Sequence, residues 1–242
     1  MKPSVFKVTD DLKRALVVVA HPDDIDFGMA GTISYLTSKG VEVSYVLVTS
    51  GDAGGDDSTH SKEERAAIRE REQTAAAREV GVESLAFLRF PDGMVEVTLE
   101  LRKNISREIR RYRPDLVLTQ SPERNWERIY ASHPDHMATG EATIRAVYPD
   151  ARNPHAFPEL LDEGFRPHSV PQVWVTGAPF SIVVDTTKHI DRKLAALRCH
   201  VSQIGEGEGL EERLRFWGQA NAKAAGLKKG RLAEGFRVLD TK

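Results

Sequence analysis

The sequence predicts a single α/β domain in which helices flank a parallel sheet. Three observations carry this reading. Ala15-Leu16-Val17-Val18-Val19-Ala20 is an apolar run without alternation, the pattern of a strand buried on both faces. Gly28 to Ser38 follows with Met29, Ile33 and Leu36 at helical spacing and Gly40 just past the end. Val41 to Val48 is a second apolar run, so the chain opens β–loop–α–β, the unit that builds a parallel sheet through a right-handed crossover.

The later elements repeat the pattern. Thr49 to Ser61 is polar and glycine-rich, with Gly51, Gly54, Gly55 and the acids Asp52, Asp56 and Asp57, and follows a strand's carboxyl end, where open parallel sheets bind ligands. Ser61 with Glu64 forms a capping box that opens a helix running to Val80, and Gly81 stops it. Leu85 to Arg89 reads as a third strand, with a turn at Pro91-Asp92-Gly93. Leu99 to Tyr112 reads as a helix cut off before Pro114, and Asp115 to Thr119 as a fourth strand. Gln120 to Ser132 has no periodicity and carries Trp126 and Tyr130, suited to stacking on a ligand or to packing the loop. A helix is expected from Pro134 to Val147, with proline at its first position. Pro149 to Pro171 is irregular. Val173 to Val175 and Ser181 to Asp185 read as late strands, and Asp191 to Ile204 as a helix. Gly205 to Gly209 interrupts before a last helix over Leu210 to Ala225. One domain over 1–242 is expected, with a core over about 12–204 and a C-terminal helical tail over 205–242.

Composition narrows the function classes. The chain carries 34 Lys+Arg against 36 Asp+Glu, a net charge of -2, which argues against a nucleic-acid or membrane surface. A single cysteine, Cys199, excludes a disulfide within the chain. The first residues lack a basic segment followed by an apolar stretch, and no apolar run approaches the roughly 18 residues of a membrane span. A soluble, cytoplasmic protein is expected.

The chemistry gathers in two segments. His21-Pro22-Asp23-Asp24 stands where the first strand hands over to a helix, so His21 and Asp24 can aim at one point. Asp23 and Asp24 repel if both are buried and ionised, and a divalent cation would relieve that repulsion. Far downstream, His133-Pro134-Asp135-His136 adds two imidazoles across the first turn of a helix, whose positive dipole end faces the same site. Two imidazoles and one carboxylate leave open positions on a metal, the mark of a catalytic rather than a structural site. Asp26 stands as a partner for a ligand histidine or simply as an acid favoured in a helix's first turn.

These two motifs, with Gly28 and Gly31 after the first, resemble the PIG-L/LmbE-like de-N-acetylases. Thr49-Ser-Gly-Asp-Ala-Gly54 is similar to that family's loop after the second strand, although Glu is commoner there than Asp52. Arg69-x-x-Glu72 with Ala76, Ala77 and Gly81 matches the next helix, and Lys193-x-x-Ala196-x-x-x-His200-x-Ser202-Gln203 resembles the C-terminal signature. The resemblance implies a Rossmann-like fold and a zinc-dependent hydrolase that removes acetyl from N-acetylglucosamine-type sugars or conjugates. Fe²⁺ fits the same ligands, and homo-oligomers are common among relatives. It further implies that His21, Asp24 and His136 hold the metal and that Asp23 is the general base. His133, protonated, would stabilise the tetrahedral intermediate with Asp135 as its charge partner, and Arg69 would contact sugar hydroxyls.

Two other classes compete. A non-haem Fe(II) oxygenase uses the same two-histidine, one-carboxylate set, but it favours β scaffolds and needs no base such as Asp23. A non-catalytic sugar- or nucleotide-binding module needs no metal, and the first strand leads into neither a dinucleotide fingerprint nor a P-loop.

Overall fold

The computed structural model describes residues 2–55, 59–205 and 207–242, so Asp56 and Asp57 of the glycine-rich loop, and Glu206, lie outside the described residues. Eight strands form one sheet in the order β1-β7-β8-β6-β5-β2-β3-β4. They are β1 (Ser4–Val5), β2 (Arg14–Val19), β3 (Glu42–Thr49), β4 (Ser84–Phe90), β5 (Leu116–Gln120), β6 (Gln172–Thr176), β7 (Ile182–Asp185) and β8 (Ala233–Asp240). All neighbours are parallel except β8, which runs antiparallel between β6 and β7. The helices are α1 (Asp24–Gly28), α2 (Ala30–Ser38), α3 (Lys62–Glu79), α4 (Leu99–Tyr112), α5 (Pro134–Arg145), α6 (Glu159–Asp162), α7 (Ile190–Arg198), α8 (Val201–Ile204) and α9 (Leu210–Ala224). The expected single α/β domain is thus observed as a Rossmann-like, mostly parallel sheet.

The unbroken apolar run of β2 has its reason in two cores. Leu16 to Val19 are 0% exposed, because alternate residues enter opposite layers. Val17 and Val19 pack with Ile33 and Leu36 of α2 and Ala76 and Ala77 of α3. Leu16 and Val18 pack with Leu101, Ile105 and Ile109 of α4 and Ala142 of α5. Each such side chain contributes about 1.5–3 kcal/mol through burial, so β2 is the axis of both layers.

Several boundaries differ from expectation for local reasons. A helix was expected over 28–38, but α1 starts at Asp24 and Met29 (φ -150°) separates it from α2. The helix expected over 134–147 comprises α5 to Arg145 and a wider helical turn from Ala146, and the backbone leaves helical angles at Tyr148 (φ -141°) ahead of Pro149. The helix expected over 191–204 breaks at Cys199 and His200, because the His200 side chain turns into the interior to meet Asp26. The tail expected to be helical over 205–242 keeps α9, and its end becomes β8. Phe236 is 0% exposed there and the strand zips β6 to β7, burial that a helix in that place would not provide. Among the described residues no helix is long and apolar enough to cross a membrane.

α5 approaches the sheet closely. A Cβ on Gly140 would stand 2.2 Å from the Gln120 carbonyl oxygen. Gly140→Ala must therefore push α5 off β5. We expect a loss of about 1–3 kcal/mol, read as a lower denaturant midpoint at unchanged slope.

Candidate active site

The strand order reverses around β2, which has β5 on one side and β3 on the other. In open parallel sheets that switch point leaves a crevice beyond the carboxyl ends of the strands. His21 to Asp24 follow β2, Gly51 follows β3, Asp92 follows β4, and the loop after β5 delivers His133 and His136. The Gln120 side chain ties the two central strand ends together by accepting from Ala20 N at 2.9 Å.

At the exit of β2 the chain makes a sharp turn. Asp23 takes the left-handed conformation (φ 85°, ψ -27°), and its carbonyl accepts from Asp26 N and Phe27 N to start α1. The His21 amide donates to Asp24 Oδ2 at 2.8 Å, which aligns that carboxylate. Across the crevice His133 caps α5, its Nδ1 accepting from Asp135 N at 3.2 Å.

The two segments meet. His21 Nδ1 lies 3.2 Å from His136 Nε2 and 3.3 Å from Asp24 Oδ2, and His136 Nε2 lies 3.0 Å from Asp24 Oδ1. A four-coordinate ion bound at about 2.0–2.2 Å spaces its ligand atoms roughly 3.3 Å apart. The two ring nitrogens and the two Asp24 carboxylate oxygens thus lie at the spacing of such a shell, and the residues present fit a divalent metal. The His133 ring is close by, 4.9 Å from His21 and 5.1 Å from His136 between centroids.

A second group shares His21. Its Nε2 lies 3.0 Å from Asp92 Oδ1 and 3.2 Å from Asp135 Oδ2, and these three residues could also hold an ion. Their carboxylates are already engaged: Asp92 accepts from Ala53 N, and Asp135 accepts from Gly93 N and Val95 N. A histidine that ligates a metal through one nitrogen characteristically donates its other N–H to such a carboxylate. Asp24 is engaged in the same way through the His21 amide, so both groups of donors stand as candidates for an ion.

The electrostatics ask for positive charge here. Burial opposes charging His21, but Asp135, Asp24 and Asp92 overcome it and push the imidazole up to about 12. Against its burial, His136 and His21 hold Asp24 well below the usual carboxylate range. The His21 bond draws Asp92 down to about 2, again against burial. Burial and the adjacent Asp24 push Asp23 up to about 7, opposed by the Arg69 guanidinium. A cluster that pulls a proton onto its central histidine offers the same place to a cation.

The structure gives three of the expected site residues their surroundings. The Asp135 carboxylate is turned to His21 and to the Gly93 and Val95 amides. His133 caps α5, its Nδ1 accepting from Asp135 N, and burial with the neighbouring His21 and His136 lowers its pKa. Arg69 is buried beside the first motif. It is 4% exposed and donates to Pro22 O at 2.7 Å, Asp23 Oδ2 at 3.1 Å and Gly51 O at 3.2 Å. Asp26 contacts neither a ligand histidine nor solvent, and its Oδ2 meets Gln73 and His200.

A cavity of about 790 Å³ opens beside Asp24 and His136 and runs past Phe27, Thr176 and Phe180 to Trp217 on α9. Of the loop after β5, Arg128 lines it. Trp126 and Tyr130 stand 82% and 75% exposed beside Arg124 and Arg128, so the structure gives them no stacking role in that cavity. Sequence reasoning missed Asp92, read only as part of a turn. Its position just after a parallel strand was the available signal.

The fold is an α/β protein's, with a candidate metal centre at the carboxyl ends of its parallel strands. The family description "PIG-L: GlcNAc-PI de-N-acetylase" matches residues 16–147, and the chain belongs to that family. It is 36% identical to a diacetylchitobiose deacetylase of Thermococcus kodakarensis over 97% of this chain and 87% of the relative. It is 31% identical to a probable N-acetyl-alpha-D-glucosaminyl L-malate deacetylase 2 of Bacillus anthracis, covering 79% of this chain and 82% of the relative. The structure of N,N'-diacetylchitobiose deacetylase from Pyrococcus horikoshii superposes with a TM-score of 0.87 at 34% identity, covering 95% of this chain and 85% of that one. These relatives do not favour the oxygenase or the non-catalytic binder.

Proposed function

We propose that the chain is a zinc-dependent hydrolase that removes the acetyl group from an N-acetylglucosamine-type sugar or its conjugate. The observation that carries this reading is the 3.0–3.3 Å triangle of His21, Asp24 and His136 at the mouth of the cavity. The activities named for the relatives point to an acetylated amino sugar, and the cavity lies within the roughly 300–1,000 Å³ range of small-molecule sites.

His21, Asp24 and His136 would hold the ion. When bound, zinc supplies Lewis-acid polarisation of the amide carbonyl and acidifies water. Asp23 takes the proton of the attacking water on its carboxylate while Arg69 occupies Oδ2. A pKa near 7 suits a group that must both accept that proton and return it to the departing amine. His133 donates Nε2–H to the oxygen on which charge develops, a role a neutral imidazole can fill. Asp92 and Asp135 keep His21 oriented.

The test is amine release from N-acetylglucosamine and its β-linked disaccharide, with and without a strong chelator, followed by add-back of Zn²⁺ or Fe²⁺. Release that stops on chelation and returns with Zn²⁺ is expected. Release that persists in demonstrably metal-free protein overturns the metal assignment, and no release from any acetylated amino sugar overturns the substrate class.

A further inference from the structure

We propose that Gln73, fixed by Asp26 and His200, is a positioning residue that holds the Asp23 carboxylate at the site. The proposal rests on the reading of Asp23 as the base. Its starting point is the backbone. A left-handed conformation costs an L-residue about 1–2 kcal/mol, and Asp23 (φ 85°) is among the few non-glycine residues of the chain that adopt it. A return to negative φ would swing the Cα–Cβ bond and carry the carboxylate away from His21 and Asp24.

Gln73 opposes that return. The Asp23 amide donates to Gln73 Oε1 at 2.8 Å, so the Gln73 amide must present its oxygen to that side. Its nitrogen then faces Asp26 Oδ2 at 2.9 Å, and His200 Nε2 reaches the same oxygen at 2.7 Å. A carboxylate oxygen that accepts from both fixes the hydrogen of His200 on Nε2. Gln73, Asp26 and His200 are each 0% exposed. They come from α3, from α1 and from the break between α7 and α8, so three separate elements converge on one backbone N–H.

The neighbours on α3 act in the same direction. Arg69, one turn before Gln73, bonds Pro22 O and Asp23 Oδ2. Glu72 accepts from Ser202 N at 2.8 Å and from Ser202 Oγ, which docks the segment that carries His200. The sequence signature around His200 and Ser202 thereby gains a physical role, because it closes a hydrogen-bonded chain that ends at the residue before Asp24. In a buried network each member is oriented by the next, so a break at its far end is transmitted.

The experiment compares zinc-loaded wild type, Gln73→Met, His200→Leu, His200→Gln and Asp23→Asn by steady-state kinetics, bound metal and melting temperature. Displacing a reacting group by about 1 Å can cost on the order of 10²-fold, so Gln73→Met is expected to lose about 10- to 100-fold in kcat. KM should stay within about twofold, with the metal still bound. His200→Leu should fall in the same direction, and His200→Gln, whose amide can still donate to Asp26, should recover most of the loss. Wild-type kcat in folded Gln73→Met while Asp23→Asn is inactive overturns the positioning role and leaves the base intact. Loss confined to KM or to metal content overturns it equally. Should Gln73→Met not fold, equal kcat in wild type, His200→Leu and His200→Gln overturns it. Wild-type kcat in Asp23→Asn removes the base itself, and with it this proposal.

Discussion

Asp23→Asn lowers kcat by about 10²–10⁴-fold, the usual contribution of a positioned base, and leaves the metal in place. The substitution keeps size and shape but removes the ability to take a proton. Asp23 is not a corner of the triangle that His21, Asp24 and His136 form, so loss of its charge should spare the donor set. Its neighbours are arranged for a carboxylate: Arg69 donates to Oδ2, and Gln73 takes the backbone N–H, which the substitution does not touch. KM is therefore expected to change little. Kinetics at substrate saturation, paired with metal analysis of the same preparation, checks this. Full turnover with metal bound would assign proton transfer elsewhere; loss of the metal would make Asp23 part of its shell.

Much of the architecture could be read from residues with a local cause. The double-faced burial of β2 follows from a run without polar interruptions, and the capping box at Ser61 and Glu64 fixes the start of α3. The two histidine motifs were legible for the same reason, since each places its donors within one turn of chain. What escaped depends on partners far apart in sequence. β8 gains its place from pairing with β6 and β7, which its own short pattern does not announce. Arg69 reads as a helix-surface cation, yet it turns inward because Pro22, Asp23 and Gly51 offer it three acceptors. Asp135 sits two residues from His133, but 114 residues from His21, the ring it bonds. Proximity in the chain suggested the first pairing, and the tertiary fold made the second.

His136→Ala is expected to abolish both metal-dependent stabilisation and activity. The imidazole supplies one corner of the triangle, and without it His21 and Asp24 remain as the only other corners. Loss of the ion removes several kcal/mol of transition-state stabilisation, which corresponds to roughly 10³-fold or more in rate. The fold should survive, because the His136 side chain is 28% exposed at the start of α5 and fills no core. Melting curves separate the effects. An ion that binds only the folded state raises stability by about 4 kcal/mol at a thousandfold excess over Kd, so wild type should melt higher with zinc than with chelator. His136→Ala should melt at the same temperature in both. A zinc-dependent rise that persists in His136→Ala but disappears in Asp92→Asn would instead put the ion on the other nitrogen of His21, between Asp92 and Asp135. The distinction matters chemically. Asp24 and His136 line the cavity, where an ion they hold can meet an amide carbonyl.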